Sequence, residues 1–222
     1  MKKLVLLTCI FFLAEVTLGQ EITTKPSSDV EYVSTFYLQY DVISLDGIDL
    51  NGVEIGFTFT RPLSDDISHA FIDFGLGFQY AWGSKDSIHY EDYYDSYEYT
   101  IDYSMYSLTI PFNVGYCLNA GDDFTLNPYV GVNVRWYIEG RGEYDYDEDC
   151  EGAYLQDVIG DHLKLFDSDS ADWKNFTFGW QIGLKATYRN VSLGLSYAKD
   201  FTKMVENGDN KTSTKITLGI NF

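Results

Sequence analysis

A chain of 222 residues has room for one all-β domain or two small ones, and no break in composition divides it, so one domain is expected. A formal charge of −19 excludes nucleic acid as a partner. Hydrophobic residues at 45% and aromatics at 17% suit a soluble protein and a membrane-spanning barrel equally, because a barrel strand dilutes each apolar residue with a polar one.

In chain order, Lys2 and Lys3 followed by the apolar run Leu4 to Leu13 read as a secretory signal covering residues 1–19, with Gly19 before the cut. The mature domain is then 20–222, and loss of Lys2, Lys3 and Glu15 takes its charge to −20. Cleavage also leaves two cysteines, Cys117 and Cys150.

Eight segments follow in which residues alternate between an oily and a wet face, the period of a strand. The first sets Phe36, Leu38, Tyr40 and Val42 against Thr35, Tyr37, Gln39 and Asp41. The second sets Val53, Ile55, Phe57 and Phe59 against Glu54, Gly56, Thr58 and Thr60, and the third sets Ile72 through Trp82 against Asp73, Gly75, Gly77 and Gln79. Tyr106 to Tyr116 make the fourth and Val130 to Glu139 the fifth, where Arg135 and Glu139 share the wet face. Phe176 to Tyr188, with Lys185 on the wet side, and Val191 to Tyr197 come next. The last is Thr212 to Phe222, with Ile216, Leu218, Ile220 and Phe222 opposite Lys215, Thr217, Gly219 and Asn221. Eight is an even number, as a closed antiparallel barrel of the bacterial type requires.

Connections alternate in length. Short ones follow the second, fourth and sixth strands, the last of these being Arg189 and Asn190, where Asn tolerates the positive φ of a hairpin. Long ones run from Ile43 to Asn51, Gly83 to Asp102, Gly140 to Lys174 and Thr202 to Lys211. Short periplasmic turns and long extracellular loops are the asymmetry of an outer-membrane barrel, which puts both termini in the periplasm. Pro111 removes a ladder donor inside the fourth strand, so a bulge is expected there.

The stretch from Ser107 to Tyr116, with its Ile110-Pro111 pair, resembles a strand of the outer-membrane β-barrel domain family that includes the PorT-type porin-family proteins of Bacteroidetes. Asn127 to Val132, Leu193 to Tyr197 and Leu218 to Phe222 continue the resemblance over the mature chain. It implies an OmpA/OmpX-like up-and-down meander in the bacterial outer membrane. The family's third loop is commonly more compact than residues 140–174, and function particular to this chain is expected in that insertion.

Several residues are candidates for specific roles. Phe222 resembles the C-terminal aromatic read by barrel assembly machinery. Glu54, Asp73, Arg135, Glu139, Lys185 and Lys215 are expected to fill the interior as a paired polar plug, since eight strands leave width only for side chains. In the acidic loop, Asp145, Asp147, Asp149 and Glu151 recur at every second position and are hard oxygen ligands. Cys150 and Gln156 nevertheless break the comparison with a calcium-binding EF-hand, leaving a solvated loop or one bridged by divalent ions to lipopolysaccharide.

Tyr90, Tyr93, Tyr94, Tyr97 and Tyr99, mixed with acids in loop 83–102, offer a contact surface for protein or glycan, or else extend the strands above the membrane. His89 and His162 lack the context of a nucleophile, and no cofactor or enzyme activity is expected. Cys117 and Cys150 fall at opposite ends, too far apart to bond.

The reading is a structural or adhesive barrel acting through its loops, with outer-membrane lipid as its surroundings. Two alternatives stand beside it. One is a small porin or an accessory of transport or protein secretion. The other is a soluble lipocalin-like barrel with the apolar face turned inward around a ligand.

Overall fold

The computed structural model describes residues 33–64, 67–91, 96–119, 123–146, 162–166, 173–205 and 208–222. The expected signal at 1–19 lies outside them, as do Asp147, Asp149 and Glu151. Asp145 belongs to the backbone of a strand.

Every regular element among these residues is a strand: β1 (Val33–Leu45), β2 (Ile48–Ser64), β3 (Ile67–Glu91), β4 (Ser96–Tyr116), β5 (Leu118–Asn119), β6 (Phe124–Tyr146), β7 (His162–Lys164), β8 (Phe176–Tyr188), β9 (Val191–Asp200) and β10 (Thr212–Asn221). Neighbours pair antiparallel in the order β4, β3, β2, β1, β10, β9, β8, β6, and β4 pairs with β6 to close the ring. The chain is a closed eight-stranded up-and-down barrel. Two short strands, β5 and β7, fold back on opposite ends of β6. Closure leaves no sheet edge around the eight-stranded girth. β1 and β10, the first and last strands, form the seam, where Asp41 stands opposite Lys215 and the N–H of Phe222 donates to Ser34 O at 2.9 Å.

The faces alternate as the sequence does. Val42, Ile55, Phe57, Leu76, Val130, Leu193, Leu195 and Ile216 are exposed, whereas Gln39, Asp41, Glu54, Asp73, Gln79, Arg135 and Lys215 are buried. The apolar face is outside. A lipocalin-like packing, with the apolar face inward, is thereby overturned: an enclosed ligand would meet charges, and some of the largest apolar side chains would face water.

Several connections differ from expectation. The span Ile43 to Asn51 is not a loop: both strands continue to a two-residue turn, Asp46 (φ 50°) and Gly47 (φ 75°), the left-handed pair of a type I′ hairpin. In the Arg189-Asn190 turn the positive φ of 52° belongs to Arg189, not Asn190. Much of 83–102 is strand, since β3 and β4 stay paired from Lys85 with Ile101 to Glu91 with Ser96. Residues 140–146 extend β6 in the same way.

Pro111 causes no bulge. Phe74 with Phe112 and Gly77 with Thr109 share one register, so the ladder to β3 merely lapses beside the proline while Pro111 stays opposite Asn133 on β6. The irregularity lies instead where Tyr106 pairs with Glu139 and Ser107 with Tyr137, leaving Ile138 as an extra residue.

The interior changes character with height. From Thr35 to Asp41 the inward residues of β1 include Gln39 and the charge of Asp41. They are followed by Ile43 and Leu45, while the outward side passes from Val42 to Ser44. β2 and β4 do the same, with Ile48, Leu50, Ile101, Tyr103 and Met105 joining Ala81, Tyr137, Leu165 and Met204 in an apolar core. Below the switch, Ser34 to Val42 spans about 27 Å of strand, or roughly 20 Å of height at a barrel's usual tilt. That approaches the ~25 Å apolar band of an outer-membrane barrel.

Candidate functional site: the barrel interior and its two rims

The centre is built around Arg135, projected inward by β6 and only 1% exposed. Its Nε donates to Thr109 Oγ1 on β4 at 3.1 Å, and its Nη2 lies 3.7 Å from Glu54 on β2 and 3.9 Å from Asp41 on β1. Each carboxylate has further donors. Tyr37 Oη donates to Glu54 Oε1 at 2.7 Å and Thr109 Oγ1 to Glu54 Oε2 at 3.0 Å, while Gln79 Nε2 donates to Asp41. The Tyr37 ring has room because β2 and β3 present glycines to it. A Cβ at Gly56 would sit 2.6 Å from Tyr37 Oη, and one at Gly77 would meet the same hydroxyl and Glu54.

A second network lies toward the end where the chain termini meet. Thr60 Oγ1 donates to Asp73 Oδ1 at 3.2 Å, Asn113 Nδ2 donates to Asp73 Oδ2 at 3.5 Å, and Gln181 Nε2 donates to Asn113 Oδ1 at 2.6 Å. Between the two networks is a cavity of about 70 Å³ lined by Lys185, Lys215, Glu54, Asp73, Tyr129 and other polar residues. It has space for a few waters and no more.

Toward the opposite end, Lys211 Nζ donates to Tyr137 Oη at 2.7 Å and lies 3.8 Å from Asp200. Above this pair the apolar core, with Phe166 and Trp173 packed on it, fills the section. Among the described residues the buried charges are Asp41, Glu54, Asp73 and Asp200 against Arg135, Lys211 and Lys215, with half-buried Lys185 adding a fourth cation. Acids and bases balance, which a narrow low-dielectric interior requires.

Of the six residues expected inside, Glu54, Asp73, Arg135 and Lys215 are buried there and Lys185 lines the cavity. Glu139 is not inside. The extra residue Ile138 turns it outward, where it binds Arg141 at 2.6 Å on the exposed face. Sequence reasoning missed Asp200 and Lys211. Asp200 continues the inward even-numbered phase of Ser192 and Ser196 on β9, a legible signal, whereas Lys211 sits in a stretch that reads as loop.

Phe222 is 67% exposed at the seam. Cys117 is free, half-buried beyond β4, and burial pushes its thiol up despite Thr125 and Lys185 nearby. Among the described residues no group of three or more His, Cys, Asp or Glu is placed to hold a metal ion. Strands β3, β4 and β7 carry His89, Tyr90, Tyr97, Tyr99 and His162 in their backbones.

Aromatic residues ring the outer face near the switch in polarity. Tyr80 stacks with Trp82 at 5.5 Å and lies 4.9 Å from Tyr106, Trp180 meets Tyr197 at 5.8 Å, and Trp136 is 57% exposed. No protein-family model and no curated protein sequence matches the chain.

Solved structures do resemble it. Neisserial surface protein A is 13% identical over 88% of this chain and 98% of its own, with a TM-score of 0.45. The outer-membrane enzyme PagL is 11% identical over 84% and 98%, with a TM-score of 0.47. The attachment invasion locus protein Ail of Yersinia pestis is 12% identical over 86% and 97%, with a TM-score of 0.37. At such identities neither attachment nor enzyme activity carries over to this chain, and its role rests on its own geometry.

Proposed function

We propose that the protein is a barrel of the bacterial outer membrane, closed to ions, that serves as a structural or adhesive scaffold through its loop-bearing rim and carries out no catalysis. One observation carries this reading: below the switch at Val42 the outer face is apolar and the inner face charged, and above it the two exchange. Only a barrel that passes from hydrocarbon into water has a use for both halves. The Arg135 network and the apolar core above it occupy the width a pore would need, which argues against the porin alternative.

Further proposals follow from this placement. The termini face the periplasm, and Phe222 is accessible to the barrel assembly machinery. Loops 83–102 and 140–174 meet protein, glycan or lipopolysaccharide outside. Membership of the PorT-type family, with or without a part in secretion, is proposed on the Ile110-Pro111 strand and the terminal Leu218 to Phe222 motif.

Heat-modifiable migration of the protein extracted from outer membranes tests location, and recovery wholly in a soluble fraction would refute it. Liposomes loaded with the folded protein should show no steady conductance. A membrane-impermeant maleimide should label Cys150 on intact cells but Cys117 only after the membrane is opened, and the reverse pattern would invert the orientation.

A further inference from the structure

The exposed cations at the loop-bearing rim are of two kinds. Arg141 is neutralised by Glu139 at 2.6 Å. Lys174, Lys199 and Lys203 are exposed too, yet among the described residues none has a carboxylate within ion-pair distance. In a chain of charge −19, three lysines with no counter-charge among the described residues together call for a reason.

They share one sector. Lys199 stands opposite Trp180 in the β8–β9 ladder and faces outward, since the even residues of β9 are the buried ones. Beyond the strand ends the two segments stay joined. Phe201 N–H and Thr202 N–H donate to Phe178 O at 2.8 and 3.3 Å, Lys174 N–H donates to Met204 O at 2.8 Å, and Trp173 bridges Val205. Lys174 and Lys203 therefore top adjacent chains, with Lys199 below them.

Aromatics separate the charges. Trp180 and Tyr197 lie 5.8 Å apart at the level of Lys199, and Phe178 and Phe201 lie 5.4 Å apart above it, with Phe201 57% exposed. Elsewhere on this rim the exposed charges that make no ion pair among the described residues are acidic: Asp49, Asp102 and Glu143.

A lysine facing lipid without a counter-charge is unfavourable in proportion to its depth. Its stem can lie along apolar surface while its ammonium reaches the headgroup layer, which is also the layer aromatic rings prefer. Resting on the outer-membrane reading above, we infer that the β8–β9 sector of the rim is a docking surface for the phosphorylated headgroup of an outer-leaflet glycolipid. Lys174, Lys199 and Lys203 hold the phosphates, and Phe178, Phe201 and Trp180 pack against the sugar and the first acyl carbons. The acidic remainder of the rim repels the same headgroup, so the contact is one-sided.

The test folds the full chain into phosphatidylcholine vesicles doped with diphosphoryl or with dephosphorylated lipid A, then measures the lipid A retained after detergent extraction of the folded barrel. Wild type should retain the diphosphoryl form in preference. Each Lys→Gln change should lower that retention about fivefold, the triple K174Q/K199Q/K203Q should abolish the preference, and Arg189→Gln on the opposite rim should leave it intact. A triple variant that retains as much as wild type, or equal retention of the two lipids, overturns the inference while leaving the barrel's location standing. Failure of wild type to reach its heat-modifiable form in phosphatidylcholine alone would overturn both.

Discussion

Arg135 matters less for the attraction it supplies than for what its absence would leave behind. Asp41 and Glu54 would remain buried at 0% and 2% exposure with the nearest counter-charge gone. Arg135→Ala is therefore expected to cost about 3–5 kcal/mol, read as a lowered urea midpoint of the folded barrel in lipid. Arg141→Ala breaks a shorter bridge, 2.6 Å, but both partners are about half exposed, and solvent screening limits the loss to less than about 1 kcal/mol in the same assay. Gly77→Ala would drive a methyl into Tyr37 Oη and Glu54, for an expected loss of about 1–3 kcal/mol. Equal midpoints for the Arg135 and Arg141 variants would refute the view that the interior network holds the barrel's charges in place.

Strands were legible because each outward residue meets the barrel's surroundings and each inward one its neighbours, so a period of two runs through β1, through β2 from Ile48 to Leu63 and through β3 from Phe71 to Ala81. That same rule misplaced Glu139. Alternation counted through Ile138 puts it inside, yet one extra residue resets the phase, and nothing in the residues around Trp136 announces the insertion. Pro111 invited a bulge that the strand does not need, since its missing donor falls where the ladder to β3 lapses. Deleting Ile138 should restore plain alternation with Tyr137 still inward and Glu139 still outward. The variant is expected to give the heat-modifiable band, with a urea midpoint closer to wild type than that of Arg135→Ala. A variant that fails to fold would mean the bulge is required for closure.

For the molecule as a whole, the sequence reading missed the upper storey. Ile43, Leu45, Ile48 and Leu50 fall in a stretch that resembles a loop, because the outward residues there turn polar and the inward ones apolar, the opposite of the belt below. A rule tuned to lipid outside fails once water is outside, and the two-residue turn at Asp46 and Gly47 is what exposes the error.

The core so formed draws on β1 to β4 and β6, and on Leu165 and Met204 from beyond the strands, both 0% exposed. Leu165→Ala with Met204→Ala should cost about 2–5 kcal/mol for each cavity. It should appear as protease sensitivity at the end that carries this core while the half with the apolar outer face stays resistant.

On the outer-membrane placement proposed above, these residues cannot pack until they have crossed the bilayer, and once packed they form a head broader than a single hairpin. The barrel is thus fastened like a rivet, its shank set in lipid and its head closed last, and withdrawing it requires the head to be undone first. The double variant should accordingly leave the membrane faster under denaturant than any equally destabilised variant of the belt.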